Sequence, residues 1–79
     1  KISGEVYQFE EGMTMTADMI CHTEDGDRLF VVEGPMDSAV MASGDVTVEG
    51  IIDGETATGI DEYAGSKAIK IIDATMKEE

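Results

Sequence analysis

Soft donor atoms in this 79-residue chain concentrate in one stretch, where Met13, Met15, Met19, Cys21 and His22 fall within ten positions of one another. Thioether and thiolate sulfurs favour Cu(I). On an extended strand Met13 and Met15 stand side by side on one face, whereas His22 points to the other. The same alternation suits a structural role, since methionine fills irregular cores with a flexible, polarisable side chain. The pattern therefore predicts a methionine-lined core, with Met13 and Met15 as the candidate soft-metal pair. Cys21 is the single cysteine, so no internal disulfide can form. Its place on the apolar face predicts a buried, inert thiol.

Hard ligands come next. Carboxylates gather at Glu24, Asp25 and Asp27, at Asp53 and Glu55, and at Asp61 and Glu62. A calcium ion usually collects roughly 6 to 8 oxygens at one point. These spacings give two or three carboxylates per turn, without the D-x-[DN]-x-[DN]-G pattern and its distal Glu. They read as solvated, mutually repelling turns that added salt stabilises by screening. Asp53, Glu55, Asp61 and Glu62 are where a cation would bind if one does. No nucleophile has a base at catalytic spacing and no zinc pattern occurs, so the chain reads as non-enzymatic, with no cofactor.

Tyr7, Phe9, His22, Arg28 and Tyr63 are the candidate binding residues, because rings stack on planar groups and a guanidinium or imidazole reads anions. Oligonucleotide binding would need such rings within a basic groove. Eighteen Asp and Glu against five Lys and Arg give a net charge of −13, a field that repels phosphate backbones and anionic headgroups. Nucleic acid is thus disfavoured as a partner. No apolar run approaches the roughly 18 residues that span a bilayer, so no membrane insertion is expected.

The elements that must position these residues are short strands. Seventy-nine residues make a single domain, 1–79, burying about 60 to 65% of the unfolded surface. Ile2 to Phe9 alternates loosely, with Ile2, Gly4, Val6 and Gln8 on one side. Met13 to Gly34 reads as a β-hairpin, its arms joined by Glu24-Asp25-Gly26-Asp27. Gly34-Pro35 ends the second arm, and Pro35 to Ser43 has helical spacing in Met36, Val40 and Met41, with Gly44 as the stop. Asp45 to Ile52 is a fourth strand interrupted at Gly50, as a bulge or a close approach of another strand would interrupt it. Asp53 to Ser66 lacks periodicity and reads as the longest loop, with room for a short hairpin of its own. Lys67 to Met76 is the last strand, with a phase change between Ile69, Ile71 and Ile72, Ala74, Met76 that signals a bulge or burial on both sides. Lys77 to Glu79 reads as a frayed tail. Met15, Met19, Val31, Val48 and Ile71 are the expected shared core.

Three strands, a short helix and two further strands predict an all-β fold with one short helix, the five-stranded Greek-key barrel of the OB-fold. The wording Ser43-Gly44-Asp45-Val46-Thr47-Val48-Glu49-Gly50 resembles the entry to the fourth strand of many OB domains, and Ile69-Lys70-Ile71-Ile72-Asp73-Ala74 resembles their closing strand. Within that superfold the chain is similar to small bacterial anticodon-binding-like OB domains of uncharacterised proteins, many of them secreted or lipoproteins. The resemblance implies an extracytoplasmic address and no particular activity. The Met13-x-Met15 pair is also similar to that of periplasmic copper-binding OB chaperones, which add a His and a Trp; this chain has no Trp. The resulting expectation is a binding module for another protein or a neighbouring domain of a longer chain. The alternative is an oligonucleotide or small-ligand binder, soft metals included, on the barrel face.

Overall fold

In a computed structural model, which describes residues 2–78, the alternating segments form β1 (Ile2–Glu10), β2 (Met15–Thr23), β3 (Gly26–Gly34), β4 (Asp45–Ala57) and β5 (Lys67–Glu78). Helix α1 (Ser38–Ala42) lies between β3 and β4, and a 3₁₀ turn (Asp61–Tyr63) lies between β4 and β5. The strands close into a barrel in the order β1-β2-β3-β5-β4. All pairs are antiparallel except β3 beside β5. This is the expected all-β, five-stranded Greek-key barrel of the OB-fold with one short helix.

Local chemistry explains the joints. Thr23 pairs with Gly26 across the turn residues Glu24 and Asp25, and Gly26 takes a φ of 121°, a value that glycine adopts without strain. The Thr23 hydroxyl donates to the Gly26 carbonyl at 2.6 Å. At α1 the Asp37 carboxylate accepts from the Ala39 N–H at 2.8 Å, an N-cap that satisfies an otherwise orphaned donor. The short helix delivers Met41, 1% exposed, to the core.

Alternation on β2 sets the inside of the barrel. Ala17 and Met19 pack with Phe30 and Val32 of β3, Val46 and Val48 of β4, and Ile71, Ala74 and Met76 of β5. Among the described residues no polar or charged side chain is buried. The phase change on β5 is a bulge at Asp73, which has a φ of 51°. It turns Ala74 and Met76 into the same core as Ile71 and leaves Ile72 outside it, half-buried.

Several expectations are corrected. Met13 precedes β2 and is fully exposed, while Met15 is half-buried against the core, so the two do not stand as a pair on one strand. Cys21 is half-buried at the core's margin. Val31 is not in the barrel core; Val32 is, and Val31 packs on the opposite face. A register shift between Val6 and Gln8 moves Gln8 to the face of Asp18, away from Val6. β4 does not stop at Ile52 but continues to Ala57, because Glu55, Thr56 and Ala57 still pair with Ile69, Ala68 and Lys67. Gly54, within the segment expected as a loop, is part of a bulge in the strand, at a φ of 76°. The tail is paired too: Lys77 and Glu78 lie opposite Thr47 and Val46, and Glu79 lies outside the described residues.

Candidate functional site

An OB barrel offers ligands the outer face of its second and third strands. Here that face carries Asp18, Ile20 and His22 from β2 and Asp27, Leu29 and Val31 from β3, set by the pairing of Ile20 with Leu29 and His22 with Asp27. Ile20 and Leu29 are buried, which an open face would not allow. The segment 58–66 between β4 and β5 covers them. Its Ile60, 1% exposed, seats against Ile20, Leu29 and Ala68, with Val31 and Tyr63 beside it.

Polar contacts hold this segment in place. Thr58 N–H donates to the Ser66 carbonyl at 3.3 Å, and Ser66 N–H to the Tyr63 carbonyl at 2.9 Å, which closes the segment on itself. The Gln8 side-chain amide donates both to the Gly59 carbonyl at 3.0 Å and to Asp18 Oδ2 at 2.7 Å. A Cβ on Gly59 would come within 2.7 Å of that same carboxylate oxygen, so a larger residue would have to displace the Asp18 side chain. The Tyr7 hydroxyl donates to Glu62 Oε1 at 3.3 Å, and the Tyr63 hydroxyl to Asp27 Oδ2 at 2.6 Å.

His22 extends the array: its Nδ1 lies 2.7 Å from Asp27 Oδ1 and its Nε2 lies 3.8 Å from Glu5 Oε2. The hydrogen bond to Asp27, reinforced by the charges of Asp27 and Glu5, raises the His22 pKa. Hydrogen bonds from Tyr63 and then His22 lower that of Asp27. Tyr63 is raised by its bond to Asp27, and Tyr7 by the negative charge of Glu62. Tyr7, His22 and Asp27 are exposed, and Tyr63 is half-buried. The array is a set of hydrogen bonds and charges that favours the protonated forms of His22, Tyr7 and Tyr63 and the ionised form of Asp27.

Three of the five candidate binding residues thus meet on one face. Tyr7, His22 and Tyr63 belong to the array, and Arg28 lies beside it, lining a shallow depression with Asp27, Glu55, Tyr63 and Lys67. Phe9 stands apart, opposite Ala17 on β1 and near Met41 and Ala42. Asp53 and Glu55 lie on β4, whereas Asp61 and Glu62 lie on the 3₁₀ turn. Among the described residues no three His, Cys, Asp or Glu side chains converge in a way that could hold a metal ion.

A second feature was not legible in the sequence. Pairing of β4 with β1 reaches Val48, opposite Ile2; beyond it, residues 50–57 pair with β5 alone among the described residues. Ile51 and Ile52 stand on this free stretch, 57% and 70% exposed. The signal was the adjacent isoleucine pair after Gly50, hidden by the reading of Asp53 onward as a loop. No helix of the described residues is long and apolar enough to cross a membrane. No family model matches the chain, and no curated protein or solved structure matches it significantly.

Proposed function

We propose that this domain is a non-enzymatic OB-fold binding module whose partner is another protein or a neighbouring domain of a longer chain. The observation that carries the reading is the exchange of surfaces just described. The barrel face available to oligonucleotides in other OB domains is filled by the chain's own Ile60, while exposed apolar surface lies on the unpaired edge of β4. Unpaired strand edges with exposed apolar side chains recruit extended segments of other chains. The net charge of −13 supports a partner other than nucleic acid. Kinship with secreted, anticodon-binding-like bacterial OB domains, and an extracytoplasmic address, belong to the same proposal.

A photoreactive amino acid placed at Ile52, with the fully exposed Met13 as a control, tests this reading in the native host. Discrete protein adducts from position 52 and none from position 13 are expected. Adducts to nucleic acid, or equal labelling from both positions, would overturn it in favour of the oligonucleotide or small-ligand alternative.

A further inference from the structure

We infer that the free edge of β4, residues 50–57, accepts a cationic extended segment that adds to the barrel as a further strand. This rests on the protein-binding reading and names the class of its partner. Ile51 pairs with Ile72 and faces the outside of the barrel, whereas Ile52 pairs with Ile71, a core residue, and so faces inward. Pairing with β1 has ended by Val48, so Ile52 projects from the core side into solvent. An incoming strand laid along this edge covers both isoleucines, one on each face, while its backbone pairs with β4.

Charge selects the occupant. Glu49, Asp53 and Glu55 flank the two isoleucines, and no Lys or Arg occurs anywhere from residue 45 to residue 66. A second copy of this chain would set acidic edge against acidic edge, and like charges on paired strands destabilise the pairing. Nucleic acid is repelled by the same field. A segment with Lys or Arg alternating around small apolar residues is attracted by it and satisfies the edge. The bulge at Asp53-Gly54 splits this edge into two short pairable stretches, which favours a short segment and discourages open-ended edge-to-edge growth.

The test uses the isotope-labelled chain and three synthetic peptides: Lys alternating with Thr around a central Val-Ile pair, the same peptide with Glu for Lys, and the Lys peptide with Pro at both central positions. Saturable amide shifts confined to residues 50–57 and their β5 partners are expected with the Lys peptide. Binding should be at least about tenfold tighter than for the Glu peptide, since like-charge juxtaposition is costly, and should weaken with salt. The Pro peptide, lacking central backbone donors, should lose binding. Joint replacement Ile51→Thr and Ile52→Thr should weaken the Lys peptide while leaving the melting curve in place. Joint Glu49→Lys and Glu55→Lys should shift preference toward the Glu peptide. Shifts on another surface, equal affinity for both charges, no binding of the Lys peptide at millimolar concentration, or self-association through this edge would each overturn the inference. Protein adducts at position 52 together with charge-blind peptides would remove the cationic partner alone; absence of both would remove the protein-binding reading as well.

Discussion

Ile60→Ala asks whether segment 58–66 is an integral part of the folded unit or merely rests against it. Ile60 is 1% exposed and touches Ile20, Leu29 and Ala68. Removing three buried carbons at about 0.8 kcal/mol each forfeits roughly 2.4 kcal/mol of transfer free energy. A rigid cavity would raise the loss toward about 5 kcal/mol. The cluster is small and has Val31 and Tyr63 at its margin, both able to settle into the space, so the lower end applies: about 2 to 3 kcal/mol. Against a total of roughly 4 to 12 kcal/mol for a domain of this length, that is a large fraction, and it corresponds to a fall in Tm of about 10 to 20 °C. Urea unfolding followed by circular dichroism reads the change, with an unchanged m value if the segment unfolds together with the barrel. Met13→Ala, at a fully exposed site, serves as the control and should stay within about 0.5 kcal/mol of the parent. An Ile60→Ala loss as small as the control's would refute the claim that the barrel face is sealed by its own chain.

Two further predictions concern how the face and core are held. Asp27→Asn removes the carboxylate shared by Tyr63 and His22; in NMR titrations His22 should fall back toward about 6.5 and Tyr63 toward about 10, and amides of 58–66 should exchange faster. In the parent, the raised His22 pKa makes its contribution complete below about pH 6.5 and lost as pH rises through the raised value, whereas the lowered Asp27 pKa makes its contribution present above about pH 3.9 and lost on acidification through the lowered value. The His22–Asp27 pair is therefore strongest between those limits, the Tyr63–Asp27 contact that holds the segment weakens on acidification, and a His22 that titrates normally in the parent would contradict the contact. Gly34→Ala places a Cβ against the Ala74 backbone, where no flexible side chain can yield, and should cost about 1 to 3 kcal/mol; an unchanged thermal melt would refute the close approach of β3 and β5.

The parts of this fold written most clearly in the sequence are those where one periodicity meets one environment. Alternation through Ala17 and Met19 identifies the inward face of β2, Gly26 marks the hairpin, and the broken phase after Ile71 announces the bulge found at Asp73. Legibility fails where both faces are buried for different reasons. Leu29-Phe30-Val31-Val32 has no polar residue to mark a face, since Phe30 and Val32 line the barrel while Leu29 and Val31 lie under or beside Ile60. Ile60 itself is one apolar residue in a polar segment, and its seat depends on contacts from distant strands that no local pattern encodes. Gly54 falls in the segment expected as a loop for a related reason: a positive φ serves a bulge within a strand as well as a loop that follows it. Of the candidate site, aromatic and imidazole residue types were legible, but their convergence on Asp27 was not, because Tyr63 and Asp27 are 36 positions apart.

The most direct measurement is an oligonucleotide titration of the labelled chain at physiological salt, using single-stranded DNA and RNA of mixed sequence and following the amides of Ile20, Leu29 and Ile60. With the β2–β3 face sealed by segment 58–66 and a net charge of −13, no saturable shift is expected at any of the three. Micromolar binding with a steep negative salt dependence, accompanied by shifts at Ile20 and Leu29 and release of Ile60, would contradict it.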